Sequence, residues 1–244
     1  MHNLLIAIVI SIFAVIGNGL GSLLVPKKLL HRSIVNISMA IGSGCMIGVV
    51  ILEMVPESLR LTEKAPLFLG IGFMVAHFFE HIIAPHFHFG EETHEEEMIT
   101  PTITMSAIFG MGIHSLFDGV SIGSGFVVSM NLGLLVFIAI LLHKMPEGFT
   151  ISTMVVCSGR PKKNAIIIAN IIGLLTLFGV ILAFVFKGFI FFALPFSAGI
   201  TLYVAASDLI PILNELKGIK YSILIFLGFL IIFVLHLIAH EIIE

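Results

Sequence analysis

Two short patterns hold the residues of this chain whose types and spacing could do chemistry. One reads His114-Ser115-Leu116-Phe117-Asp118-Gly119, the other His143-Lys144-Met145-Pro146-Glu147-Gly148. Each sets an imidazole and a carboxylate four residues apart, which on a helix puts both on one face. Two imidazoles and two carboxylates make a nitrogen–oxygen donor set suited to Zn2+, and also to Fe2+, Mn2+ or Cd2+. Both patterns interrupt long apolar stretches. An ionisable side chain at bilayer depth costs roughly 2.5 kcal/mol or more, so it needs a partner, a water-filled cavity or a metal. Two structural His–acid pairs holding helices together would also meet that need, but the repeat of one pattern at matched depth favours a shared site.

The depth argument runs through a tight turn expected at Met130-Asn131. His114 lies 16 residues before Met130 and His143 lies 13 after it. At about 1.5 Å of rise per residue the two depths differ by about 5 Å. Pro146 removes one backbone bond and frees the Leu142 carbonyl, a break tolerated in a membrane only where it faces protein or water. Gly119 and Gly148 permit close helix approach.

The elements that must position these residues are apolar. The chain is 58% hydrophobic and 11% charged, against about 25% charged in soluble domains, so lipid is the expected solvent. The expected fold is all-α, a polytopic membrane protein with eight transmembrane helices in one domain over residues 1–244. The spans fall near 3–24, 34–57, 66–84, 103–128, 131–157, 164–186, 188–213 and 221–243, with a His/Glu-rich loop at 85–101. Each is near the 20 or so residues a bilayer requires. Lys27, Lys28, Arg32, Arg160, Lys162, Lys163, Lys217 and Lys220 fall on one side of such a bundle, and Arg60, Lys64 and Lys187 on the other. The positive-inside rule then makes the first side cytoplasmic, turns both termini outward and puts the His/Glu-rich loop in the cytoplasm. No basic segment precedes the first apolar run, so no cleavable signal peptide is expected. No basic stripe suggests nucleic acid. Cys45 and Cys157 read as free buried thiols. The Phe- and Ile-rich outer surfaces suit a lipid bilayer or a second copy in a homodimer.

At its two motifs the chain resembles the Zrt/Irt-like (ZIP) family of divalent-metal transporters, in particular its small bacterial branch. The resemblance extends to Glu53-Met54-Val55-Pro56-Glu57 in the second span. It also takes in Ser197-Ala198-Gly199 and Leu202-Tyr203-Val204-Ala205-Ala206-Ser207-Asp208-Leu209-Ile210-Pro211 in the seventh. It implies a plasma-membrane protein that moves a divalent metal, Zn2+ foremost, into the cytoplasm through a midplane site. The metal is the transported substrate; no catalytic cofactor and no enzymatic reaction are implied. His114 and Asp118 match first-metal ligands on the fourth helix, and His143 and Glu147 on the fifth. Glu53 matches a position near the site, and Asp208, with Ser207 beside it, a position on the exit route.

Two positions depart from the family pattern. Ser115 stands where many members have Asn, and Lys144 where many have a carboxylate or Asn. An ammonium offers no lone pair, so one metal rather than two is expected, with the Lys144 cation standing for the missing charge. The other reading turns Lys144 away to pair with an acid such as Asp118. His77, Glu80 and His81, followed by His86, His88 and His94 in the loop, could collect the ion weakly on exit or be a solvated charged face. His236 and His240 read as helix packing or interfacial residues. The competing function is an intramembrane zinc-dependent hydrolase in which the metal activates water. Against it, no span carries His-Glu-x-x-His, no Ser–His dyad is in view, and no soluble substrate-recognition domain is present.

Overall fold

The computed structural model describes residues 2–24, 29–79, 101–215 and 219–241, and all regular structure among them is helical. Helix α1 covers His2–Leu23. Helix α2, Leu29–Val49, runs through a π turn at Val50–Met54 into α3, Val55–Leu61. Helix α4 is Ala65–Phe78, α5 Pro101–Val128, α6 Met130–Cys157 and α7 Lys162–Val185. After a 3-10 turn at Lys187–Phe189, α8 (Ile190–Tyr203) passes through a second π turn, Val204–Leu209, into α9, Ile210–Glu215. Helix α10 is Lys220–Glu241. Among the described residues seven helical stretches are long and apolar enough to cross a bilayer. The sequence predicts eight. The difference is α4, apolar but only 14 residues long, beside the point where the described residues stop. This is an integral membrane protein: large apolar side chains such as Phe13, Phe178 and Phe226 face outward, while ionisable ones lie inside.

The hairpin between α5 and α6 is tighter than expected and turns one residue earlier. Ser129 alone separates the helices; its extended backbone (φ −155°, ψ 158°) breaks the helical run. Its hydroxyl accepts from the Leu132 amide at 3.1 Å, satisfying one of the orphan donors at a helix start. His114 lies 15 residues before Ser129 and His143 14 after it, so the depth difference shrinks to about 1.5 Å. Helix α6 remains helical through Pro146. The departures from α-geometry sit instead at the two π turns, a feature common at functional sites.

Glycines set the helix crossings, and they do so in reciprocal pairs. A methyl group at Gly21 would land on the Met145 carbonyl, and one at Gly148 on the Asn18 carbonyl, which fixes α1 against α6. Gly119 and Gly179 play the same game with the Thr176 and Leu116 carbonyls between α5 and α7. Gly44 and Gly228 join α2 to α10, and Gly72 and Gly199 join α4 to α8, again backbone on backbone. Such contacts tolerate no side chain and bring helices together without a hydrophobic driving force.

The pairs couple α1 with α6, α5 with α7, α2 with α10 and α4 with α8. Exchanging α1 with α7, α2 with α8, α4 with α10 and α5 with α6 maps the four crossings onto one another. The π turns obey the same exchange. Glu53 precedes Pro56 by three residues in or beside the first, as Asp208 precedes Pro211 at the second, and Gly44 and Gly199 stand nine residues before those acids. This is the internal signature of a repeat, as found in many transport folds.

Candidate metal centre

The α5–α6 hairpin brings His114, Asp118, His143 and Glu147 together, with one donor atom from each lying within 4.8 Å of the others. Asp118, His143 and Glu147 are at most 2% exposed. A tetrahedral site with donors 2.0–2.2 Å from Zn2+ has edges of about 3.4 Å, against a spread of up to 4.8 Å among these donor atoms. The two imidazole rings lie 5.6 Å apart, centre to centre. His114 Nε2 and His143 Nε2 approach the same oxygen, Asp118 Oδ2, at 3.3 and 3.1 Å. Helix α2 closes the site from outside the hairpin: a methyl at Gly42 would lie 3.2 Å from the His143 Cβ.

Lys144 joins the site rather than turning away. Its ammonium lies 2.7 Å from Asp118 Oδ2 and 2.5 Å from Glu147 Oε2, and donates to Ser115 Oγ at 2.8 Å. Ser115 in turn donates to Glu147 Oε1. Lys144 thus pairs with Asp118 and bridges the two carboxylates. Three nitrogen atoms thus crowd Asp118 Oδ2, although a carboxylate oxygen offers about two lone pairs. Meanwhile three ring nitrogens, His114 Nδ1, His114 Nε2 and His143 Nδ1, are buried without a hydrogen-bond partner among the described residues. The donor set is richer than its internal partners can satisfy.

The remaining sequence candidates lie elsewhere. Glu53 sits on the first π turn with its Oε1 2.6 Å from His236 Nδ1 on α10, so His236 is paired rather than merely packed. Asp208 and Ser207 stand on the second π turn, and Ser207 is exposed. His77 Nδ1 approaches the Tyr203 hydroxyl at 3.4 Å, with the rings edge to face. Glu80, His81, His86, His88 and His94 fall outside the described residues. Of the thiols, Cys45 is free and buried, its Sγ donating to the Gly228 carbonyl at 3.2 Å. Sequence reasoning missed one residue at the site itself. Asn18 on α1 is fully buried and directs its Nδ2 toward Glu147 Oε1. An amide in the apolar run Ile16-Gly17-Asn18-Gly19-Leu20 was the available signal.

The family described as ZIP Zinc transporter matches residues 91–236, which include every residue of the four-donor cluster. The chain belongs to the ZIP family. Among curated ZIP relatives, zinc transporter zipt-7.2 of Caenorhabditis elegans is 28% identical over 58% of this chain and 32% of its own length. Zinc transporter ZIP9 of Xenopus tropicalis is 28% identical over 63% of this chain and 53% of its own. Human zinc transporter ZIP6 is 24% identical over 52% of this chain and 18% of its own. The chain thus spans between a fifth and about half the length of these ZIP relatives.

Proposed function

We propose that this ZIP protein carries a divalent transition metal, Zn2+ foremost, into the cytoplasm, binding one ion through His114, Asp118, His143 and Glu147. The observation that carries the reading is the Asp118 oxygen, with two imidazoles and an ammonium converging on it while three ring nitrogens make no hydrogen bond among the described residues. A metal inserted between the imidazoles and the carboxylates relieves that crowding by accepting lone pairs instead of competing for them. Lys144 supplies the positive charge that a second metal would bring, which limits the site to one ion. The relatives' names, all zinc transporters, point the same way. His and carboxylate ligands also suit release, because protons compete for each of them. The loop charges support outward termini and inward delivery across a plasma membrane. Glu53 and Asp208, acids at equivalent π turns outside the donor hairpin, serve this reading as stations on the route rather than as ligands of the bound ion. A hydrolase would need an open metal position beside a general base and a substrate cleft; here the fourth donor and Lys144 fill that space.

The test is uptake of radioactive zinc into proteoliposomes by the intact protein, His143→Ala and Glu147→Ala. Saturable uptake that both substitutions abolish, in variants that elute as the folded species, supports the reading. Zinc that binds tightly and never crosses the bilayer would sink it.

A further inference from the structure

We infer that Asn18 is a positioning residue for Glu147: it fixes the orientation of that carboxylate and thereby sets the affinity of the donor site. The inference rests on the metal-site reading above and concerns a residue outside the donor set, on a different helix.

The geometry is a bracket. One N–H of the Asn18 amide is anchored on the Ala169 carbonyl of α7 at 3.2 Å. The other reaches Glu147 Oε1 on α6 at 3.5 Å, the long end of a hydrogen bond. Reversing the amide would press its oxygen against the carboxylate, so the donor orientation is the one the charges favour. Glu147 Oε1 thus receives Asn18 and Ser115, while Oε2 is left facing Lys144 and the donor cluster. Gly148 makes the bracket possible. A methyl there would strike both the Asn18 backbone carbonyl and Asn18 Oδ1, so the glycine after the glutamate is the seat of the amide as well as a helix crossing.

The internal repeat supplies a control inside the molecule. Thr176-x-x-Gly179 on α7 lies behind Asp118-Gly119 as Asn18-x-x-Gly21 on α1 lies behind Glu147-Gly148. Thr176 is buried too, yet its hydroxyl has no partner among the described residues. Among the described residues, the charged and hydrogen-bonding partners of the Asp118 carboxylate come from α5 and α6. Of these two equivalent positions, only Asn18 reaches the carboxylate it backs. Partners that orient metal-ligating groups typically change affinity by 10–100-fold when removed.

The experiment uses the full-length protein in detergent with Co2+ as the probe, since its visible bands report the geometry and identity of the ligands. Asn18→Leu removes the donor at similar volume, and Asn18→Asp keeps the shape while replacing donor with acceptor. Both are expected to weaken Co2+ binding roughly tenfold and to move the bands, whereas Thr176→Val leaves both unchanged. In proteoliposomes the same Asn18 variants raise the KM for zinc more than they lower its maximal rate. Native affinity and native bands in a folded Asn18 variant would overturn the proposal, as would an equal change in Thr176→Val. Asn18→Ser, too short to reach Glu147, repeats the comparison at lower packing cost. Failure of all three Asn18 variants to fold would assign the residue a purely structural role. A native chain that takes up no Co2+ would instead remove the metal-site reading on which the proposal stands.

Discussion

Lys144 and Asp118 form an ion pair of 2.7 Å between adjacent helices, with the lysine side chain fully buried and the aspartate 2% exposed. Glu147 lies 2.5 Å from the same ammonium. Two carboxylates and one ammonium leave a local charge of about −1, to which a divalent ion and two neutral imidazoles can be added without large excess charge. Buried pairs of this kind contribute little net stability, but losing one partner is costly because the other charge is stranded.

Lys144→Ala strands both carboxylates and is expected to destabilise the metal-free protein by about 3–5 kcal/mol, with saturating Zn2+ restoring much of it by mass action. Lys144→Asp replaces the internal cation with a further ligand. Metal content measured on the purified variant is expected to rise from about one ion per chain to about two. A content that stays at one would show that Lys144 does not hold the place of a second metal.

Acidification should weaken metal binding. Imidazole and carboxylate ligands bind metal only when deprotonated, so each proton displaced makes apparent affinity fall by on the order of tenfold per pH unit once the medium is acid enough to protonate it. The sign is fixed: affinity is greatest where the ligands are already deprotonated and is lost as pH drops. Co2+ titrations from about pH 7.5 down to about pH 5.5 check this. Affinity that stays flat over that interval would argue against imidazole ligands.

Glu53→Gln tests whether the π-turn acid belongs to the bound ion. Its carboxylate meets His236 between the first π turn and α10, at 15% and 24% exposure of the two side chains. The expected result is a loss of about 1.5–3 kcal/mol of stability, as for other hydrogen bonds to charged groups, with Co2+ affinity and bands unchanged. A change in those bands would place Glu53 among the ligands.

The two halves of the donor set were legible in the sequence because helical spacing alone puts residues four apart on one face. Their convergence was legible too, since a short link between apolar runs implies antiparallel neighbours at equal depth. The turn itself was misplaced by one residue: Asn131 looked like the turn residue, while the working signal was the Ser129 hydroxyl three residues before Leu132. Lys144 could be assigned to the site or away from it with equal justice, because rotamer choice depends on partners from another helix. Asn18 and His236 escaped for the same reason. Each is a lone polar residue in an apolar helix, and only tertiary packing reveals that its neighbour is Glu147 or Glu53. The helix pairing by glycines was hidden more deeply, since a glycine in a span announces a close approach but not the helix that approaches.

The single-residue link at Ser129 has a mechanical meaning. Two long rods joined by one capped residue have no slack, and the crossing at Gly125 and Gly133, where a methyl on Gly125 would lie 2.9 Å from the Gly133 Cα, pins them again within one turn of the link. The rods cannot slip lengthwise past each other, so an ion cannot be passed from the ligands of one to those of the other by a change of register. In the transport proposed above, the hairpin would present its ligands as one rigid unit, and unloading would draw on exchange with water or protons rather than on a slide of one helix past the other.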